Sequence, residues 1–174
     1  GPYGFVLDAT TVGFPEDATA DAKIRISDAD DATVTDTSAT VFTVKPLLQM
    51  TNPITGHEVW VVNSTQTITW NRKGTNVANV KIEYSTDSGS IYTPVLESEG
   101  TVNDGVVAND GSFAWTIPDA ISNVPNKKIR ISTMPLTDPW ATSVVSPLFK
   151  IVGALTLTNP TSVDKWGVGT TKNI

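Results

Sequence analysis

Several short motifs return in this chain at a nearly constant spacing, and this internal repeat constrains the fold more than any other feature. Lys23–Ser27 reads KIRIS, and the same five residues return at Lys128–Ser132, an offset of 105. The tripeptide Thr-Asn-Pro at 51–53 returns at 158–160, an offset of 107. A unit of this length is too long for a solenoid repeat and fits one β-sandwich per unit.

The repeat divides the chain into one whole unit and two partial ones. Residues 47–153 form the complete unit, residues 1–46 match the back half of a unit, and residues 154–174 begin a further one. Trp60 and Trp166 occupy equivalent positions, at an offset of 106. The drift of one or two residues between motifs is what small loop insertions produce.

Apolar and polar residues alternate along the complete unit, which predicts strands that are buried on one face and wet on the other. The predicted strands are Leu47–Met50, Gln66–Trp70, Asn79–Ser85, Ile91–Leu96, Ser112–Ile117, Lys128–Thr133 and Leu148–Val152, with a loop over 97–110. The predicted inward side chains are Ile68, Trp70, Val80, Ile82, Tyr84, Phe113, Trp115, Ile117, Ile129, Ile131, Phe149 and Ile151. Helical periodicity is missing, so the sequence predicts an all-β, antiparallel β-sandwich.

The composition narrows the classes of function. The 174 residues include no cysteine, which excludes disulfides and thiolate metal sites, and no apolar run long enough to span a membrane. The net charge of −6 argues against nucleic acid as a partner, because phosphates attract a basic surface. An acidic, Thr-rich surface suits a solvated extracellular module.

One acidic cluster has the carboxylate density of a calcium-binding loop. Asp28, Asp30 and Asp31 lie close together in sequence, and calcium prefers carboxylate oxygens. The cluster lacks the spacing of an EF-hand, and the equivalent loop after Ser132 carries one carboxylate at Asp138. The sequence therefore leaves two readings of this loop open, a calcium site and a solvated turn, and it implies no other cofactor.

Enzymatic chemistry has few candidate residues here. His57 is the one histidine, and no nucleophile motif accompanies it. A glycosidase would need two carboxylates on either side of a cleft, and Glu58, Glu83, Glu97 and Glu99 fall in loops or at outward positions of a small sandwich. We therefore expect a protein that is not an enzyme.

Four aromatic residues are candidates for ligand contact or interaction. Trp60, Tyr92, Trp140 and Trp166 lie in or near predicted loops, where exposed rings could stack on sugars. The equivalent positions of Trp60 and Trp166 in successive units favour a structural role instead, such as covering the end of the sandwich or docking the next unit. A carbohydrate- or cell-wall-binding accessory domain is the alternative function that these residues leave open.

The order and spacing of the motifs in the complete unit resemble a known family. The motifs are Thr51-Asn52-Pro53, Gly56-His57-Glu58-Val59-Trp60, Thr67-Ile68-Thr69-Trp70, Val80-Lys81-Ile82-Glu83-Tyr84-Ser85, Trp115-Thr116-Ile117-Pro118, Ile129-Arg130-Ile131-Ser132 and Phe149-Lys150-Ile151. Together they resemble the Ig-like repeat of bacterial surface proteins related to the Ser-Thr-rich, GPI-anchored membrane family of fungi. The resemblance implies Ig-like or fibronectin-III-like sandwich repeats that are extracellular and non-catalytic, and it carries no catalytic residues.

A shorter resemblance concerns the turn at 85–92. It looks like an Asp box, Ser-x-Asp-x-Gly-x-x-Trp, with Tyr92 at the tryptophan position. Such a box braces a hairpin, so it implies a structural role.

These observations predict a structural or adhesive module of an extracellular, cell-surface repeat protein that acts by spacing and association. Its expected partners are neighbouring repeats, copies of the same protein and cell-surface glycan. The back half of a unit lies at the start of the chain and the front half at its end, which leaves two explanations open. Copies associate head to tail into filaments or surface layers, or the chain is a window onto a longer array of repeats.

Overall fold

The computed structural model of the chain describes residues 17–95 and 104–172. Within these residues the protein is built from strands and turns, and no helix exists that could cross a membrane. The strands are β1 Thr19–Ala22, β2 Arg25–Ser27, β3 Thr35–Thr37, β4 Phe42–Val44, β5 Leu47–Asn52, β6 Val59–Val61, β7 Thr65–Lys73, β8 Asn79–Ser85, β9 Thr93–Pro94, β10 Val106–Ala108, β11 Ser112–Thr116, β12 Lys128–Thr133, β13 Ser143–Val145 and β14 Lys150–Val152.

Two antiparallel sheets build the complete unit. One has the order β11-β7-β5, and the other has the order β10-β8-β12-β13, with β9 also paired to β8. In Ig terms the first sheet holds strands A, B and E, and the second holds C, F and G. The prediction of an all-β, Ig-like antiparallel sandwich is confirmed by this arrangement.

The core between the sheets is the one that the alternation predicted. Ten of the twelve predicted inward residues belong to the buried cluster, and the other two, Tyr84 and Phe113, are partly buried against it. Met50, Trp60 and Val95 complete the cluster. Side chains two residues apart point to the same face of a strand, so each central strand contributes a pair, such as Ile68 and Trp70 on β7.

The last strand of the unit differs from the prediction. In place of one strand over 148–152, β13 pairs with β12, and the chain then crosses to form β14, which pairs in parallel with β6. Pro147 lies between β13 and β14 and has no amide hydrogen with which to extend the ladder. The parallel pair places Trp60 opposite Ile151 and joins the start of the unit to its end.

The region predicted as a loop over 97–110 also contains a strand. β10 pairs with β8, and the amide of Ile82 donates to the carbonyl of Gly105 at 2.8 Å. Gly105 has a φ of 76°, and a Cβ there would overlap the Ile82 carbonyl oxygen. The predicted strand Ile91–Leu96 is reduced to β9, and Leu96 lies outside the described residues.

The N-terminal segment forms two short antiparallel pairs. β1 pairs with β4, and β2 pairs with β3. These pairs lie in the part of the chain that the repeat aligns with the back half of the complete unit, and their bonds are compared below.

Candidate interaction site

The β2–β3 hairpin has the strand register of the β12–β13 hairpin and the same pair of serine hydrogen bonds. In the complete unit the amide of Ser146 donates to the Ile129 carbonyl, and the Ile129 amide donates to Ser146 Oγ. In the N-terminal hairpin the amide of Ser38 donates to the Ile24 carbonyl, and the Ile24 amide donates to Ser38 Oγ. The sequence repeat is therefore also a repeat of local structure.

The two hairpins differ in what covers them. Ile129 and Ile131 on β12 are fully buried in the core. Their counterparts are exposed, Ile24 at 47% and Ile26 at 66%. The N-terminal hairpin thus leaves exposed the two isoleucine positions that its copy buries.

The C-terminal segment has the complementary property. Met50 and Trp60, at the start of the complete unit, are each 5% exposed. Their repeat counterparts Leu157 and Trp166 are 70% and 44% exposed. Leu155 and Val168 lie in the same segment and are also exposed. Both partial units therefore expose residue types that are buried in the complete one.

A defined contact joins the N-terminal segment to the complete unit. The Asn76 side chain accepts from the Ala18 amide at 3.0 Å and donates to the Ala18 carbonyl at 2.8 Å. Thr75 Oγ1 donates to the Asp17 carboxylate next to this pair. Because a bidentate amide contact fixes orientation as well as distance, this junction restricts how the N-terminal segment turns on the complete unit.

The predicted ligand aromatics do not come together in one surface. Trp60 packs in the core, with its ring centroid 4.6 Å from that of Phe149. Tyr92 and Trp140 are half-buried and Trp166 is exposed, each on a different part of the chain. Among the described residues the four do not form a flat exposed row of rings, which a carbohydrate platform would need.

Tyr92 instead covers an ion pair on the outer face of the sheet. Arg130 donates to Glu83 Oε2 through Nε at 2.9 Å and Nη2 at 2.7 Å, and Lys81 lies 3.3 Å from Glu83 Oε1. The guanidinium carbon of Arg130 lies 4.1 Å from the centre of the Tyr92 ring. Burial is the main cause that raises the pKa of Tyr92 above its usual value, and the Arg130 charge opposes it.

The hairpin at 85–92 is braced as the Asp-box resemblance implied. The Asp87 carboxylate accepts from the amides of Ser90 and Ile91, both at 2.9 Å, and Ser85 Oγ accepts from the Gly89 amide at 2.8 Å. These bonds, with the one from Ile91 foremost, hold the pKa of Asp87 below its usual value. Asp87 Oδ1 thus serves to brace its own turn.

The acidic loop of β2–β3 is organised in the same way. Asp28 Oδ1 accepts from the amides of Asp30 and Asp31, and Asp31 Oδ1 accepts from the amide and hydroxyl of Thr33. These hydrogen bonds lower the pKa of Asp28 and of Asp31. Within residues 17–95 and 104–172, no three His, Cys, Asp or Glu side chains group as a metal site would require, and calcium binding at this loop stays a prediction.

Two of the candidate catalytic carboxylates, Glu58 and Glu83, lie in the described residues and accept structural hydrogen bonds, although Glu58 Oε2 is buried and has no hydrogen-bond partner among those residues. Glu58 Oε1 accepts from the amides of Ile54 and Thr55 at 2.7 and 2.6 Å. Burial acts to raise the pKa of Glu58, but hydrogen bonds led by that of Thr55 outweigh it and lower the pKa to about 2. Glu83 is held by Arg130, and Glu97 and Glu99 lie outside the described residues.

An open pocket of about 360 Å³ lies beside the turn between β12 and β13. It is lined by Lys45, Ser132, Leu136, Ala141, Thr142 and Ser143. Its lining contains no carboxylate or imidazole, and His57 is exposed in a loop elsewhere. The arrangement offers no acid–base pair around this pocket.

Sequence reasoning missed two polar contacts that matter for the architecture. Asn109 accepts from Trp70 Nε1 at 2.8 Å inside the core and donates to the Val77 carbonyl at 3.0 Å. The pair Glu83–Arg130 had a usable signal, because opposite charges occupy the outer positions of two predicted strands. Asn109 had none, since its partner is 39 residues away.

The comparisons with known proteins are sparse. No protein-family model matches the chain, and no curated protein matches it. Among solved structures, one of tandem Ig domains of titin is similar to the chain, with a TM-score of 0.32 and 10% identity over 71% of this chain. The chain spans 58% of that titin chain.

Proposed function

We propose that this chain is a structural module of an extracellular repeat protein and that it associates with further copies head to tail. The observation that carries this proposal is the exposure, in both partial units, of residues whose counterparts form the core of the complete unit. An Ig-like sandwich in which Glu58 Oε1 accepts from two backbone amides and Glu83 pairs with Arg130 suits a non-catalytic role. The module acts by spacing its neighbours and by presenting surfaces to them.

The complete unit supplies a template for the contact between copies. There, β6 pairs in parallel with β14, and Trp60 lies against Phe149. The repeat counterparts of Trp60 and Phe149 are Trp166 and Phe42, which belong to opposite ends of the chain. In the proposed contact, residues 165–167 of one copy lie along the edge of β4 that no described strand occupies in the next copy, with Trp166 over Phe42.

Strand addition of this kind has a geometric consequence. The two surfaces that meet are different, so the contact is heterologous and each copy keeps one free surface of each type. Such contacts build open filaments, and main-chain hydrogen bonds along an exposed strand edge give them affinity. The junction at Asn76 favours a defined angle within each subunit of the filament.

The proposed location at the cell surface is supported by composition and by resemblance. The chain has no cysteine and a net charge of −6, which suits a solvated surface module without disulfides. The motif order resembles surface repeats of bacteria related to the Ser-Thr-rich, GPI-anchored family of fungi. We therefore propose a cell-surface location and a relation to these repeats for this chain.

Sedimentation velocity over a wide concentration range tests the association. We expect the weight-average sedimentation coefficient of the intact chain to rise with concentration, and Trp166→Ala and Phe42→Ala each to weaken that rise. Trp140→Ala is the matched control, because it removes the same side chain from a loop outside both segments. A monodisperse monomer at the highest concentration, or equal effects of Trp166→Ala and Trp140→Ala, would contradict the proposal.

A further inference from the structure

The strand β2 has one paired edge and one edge that is free among the described residues. Alternate residues of an antiparallel strand direct their backbone groups to opposite edges. The carbonyl of Ile24 and the amide of Asp28 bond across to the β3 side, so the backbone groups of Arg25 and Ser27 face the other edge. No described strand pairs there.

The complete unit identifies what fits this edge. β12 is the repeat copy of β2, and its equivalent edge is occupied by β8, which runs antiparallel with Ile131 opposite Ile82 and Arg130 opposite Glu83. Because the two strands share the motif KIRIS and their hairpins share the same register and serine bonds, the free edge of β2 has the backbone geometry that β8 recognises in β12.

Charge complementarity between paired residues adds specificity to this geometry. On the outer face of the complete unit, Arg130 makes two hydrogen bonds to Glu83, and Glu83 is 7% exposed. Arg25 occupies the place of Arg130 and is exposed. No salt bridge to Arg25 occurs among the described residues. Arg25 therefore favours an incoming strand with a carboxylate directly opposite it.

We propose that the free edge of β2 is a binding site for an extended strand of another polypeptide with the pattern of β8. The strand adds antiparallel, with an acidic residue opposite Arg25 and with apolar or aromatic residues opposite Ile24 and Ile26. The inward side chains of that strand cover part of the face that Ile24 and Ile26 expose. The site goes beyond the head-to-tail contact, which engages β4 and leaves this edge of β2 open.

A synthetic peptide with the sequence of residues 79–92 is the direct probe. The peptide is titrated into the intact, ¹⁵N-labelled chain under conditions where the chain is monomeric, and amide shifts and hydrogen exchange are recorded. We expect the largest shift changes on β2, together with slower exchange of the Arg25 and Ser27 amides. The amides of Arg130 and Ser132 are expected to stay unchanged, because β8 already occupies their edge.

Reversing the charges of Arg25 in the protein and Glu83 in the peptide tests this charge complementarity. Arg25→Glu in the protein, or the peptide with Glu83→Arg, is expected to weaken binding about fivefold or more, since a cross-strand attraction becomes a repulsion. The reversed protein with the reversed peptide is expected to regain binding. Arg72→Glu is the matched control, because Arg72 is an exposed arginine on β7 away from this edge and its reversal changes net charge equally.

Three outcomes would overturn the proposal. One is slow exchange of the Arg25 and Ser27 amides in the peptide-free monomer, which would mean that the edge is already paired. Another is shift changes confined to β12, which would mean exchange with β8. The third is equal binding by Arg25→Glu and Arg72→Glu. Trp166→Ala separates the two proposals, because it lies outside β2. This variant should weaken the head-to-tail association and still bind the peptide.

Discussion

The hairpins β2–β3 and β12–β13 contain the same five-residue motif in the same register and differ in their surroundings. Ile131 on β12 is fully buried, whereas Ile26 at the same place on β2 is 66% exposed. The local sequence is therefore sufficient for the hairpin, with its serine bonds, and insufficient for its burial. Burial comes from the strands packed against β12, namely β8 in its own sheet and β5, β7 and β11 in the facing one.

The comparison of the two hairpins separates two contributions to stability, the hydrogen bonds between the strands and the burial of the isoleucine side chains. The ladder bonds of the two hairpins match, so their difference in stability should arise from the transfer of isoleucine side chains out of water. Each such side chain contributes about 1.5–3 kcal/mol when fully buried. The two isoleucines of the N-terminal hairpin keep only part of that contribution, because Ile24 is 47% exposed and Ile26 is 66% exposed.

The largest expected difference comes from truncating the paired isoleucines. Ile131→Ala should lower the free energy of unfolding of the complete unit by about 2–5 kcal/mol, because it leaves a cavity in a packed core. Ile26→Ala should change it by less than about 0.5 kcal/mol. Urea denaturation followed by tryptophan fluorescence measures both, and equal losses would mean that the two hairpins are equally covered.

Two glycines with positive φ, one in the complete unit and one in the C-terminal segment, allow the backbones of these two regions to be compared. Gly105→Ala should cost about 3 kcal/mol, since the new Cβ meets the Ile82 carbonyl oxygen and the left-handed φ strains any other residue. Gly169 in the C-terminal segment has a φ of 80° and an open space where its Cβ would be. Gly169→Ala should leave unfolding of the complete unit unchanged in the same assay, because Gly169 lies outside that unit and the strain from its positive φ stays in the C-terminal segment. A loss as large as that of Gly105→Ala would contradict the open C-terminal segment.

The complete unit and the C-terminal segment can also be compared by the pH dependence of stability, because each has a carboxylate two residues before its tryptophan, Trp60 or Trp166. Glu58 caps the amides of Ile54 and Thr55, and Asp164 accepts from the Thr161 amide and hydroxyl. Because the pKa of Glu58 falls from 4.5 to about 2 on folding, its stabilisation is complete above about pH 4.5 and is lost as the pH falls through 2.

Glu58→Gln should therefore cost about 1–2 kcal/mol at neutral pH and flatten the acid limb of the stability curve between these values. Asp164→Asn should leave that limb unchanged, although its pKa is also lowered, because it caps a turn outside the complete unit. Thermal unfolding at a series of pH values checks both variants. An acid limb that survives Glu58→Gln would rule out this carboxylate as its source.

The smallest expected contrast concerns the serines of the two hairpins. Ser146→Ala removes the acceptor of the buried Ile129 amide and should cost about 1 kcal/mol, because that amide has no access to water. Ser38→Ala removes the same bond in an exposed hairpin and should cost only a few tenths of a kcal/mol, since water replaces the hydroxyl. Chemical denaturation resolves the difference. A reversed order would mean that the N-terminal hairpin is the better covered one.

The sequence predicted the parts of the fold that depend on neighbours along the chain. Alternation identified β7, β8, β11 and β12 and the face each one buries, because period two is a local property. It missed the parallel pair of β6 and β14. That pair joins segments about ninety residues apart in the chain, and no local pattern specifies it.

For the proposed interaction surfaces, too, the sequence predicted the local features and missed the long-range contacts. The repeat itself indicated that both ends carry unit-like segments, and it located Trp166 and Lys23–Ser27. The sequence did not reveal that Trp60 is buried, since its burial depends on Phe149 and Trp115 reaching it from distant strands. The Asn76 junction was also missed, because its partners are backbone groups 58 residues away.

Hydrogen exchange at the two equivalent arginines, in a dilute monomer, tests the central claim most directly. The account predicts that the Arg130 amide, which faces β8, is protected to the level of global unfolding of the complete unit. The Arg25 amide, which faces the free edge of β2, should exchange orders of magnitude faster. Equal protection of the two amides would mean that β2 is covered like its copy, and it would contradict the account.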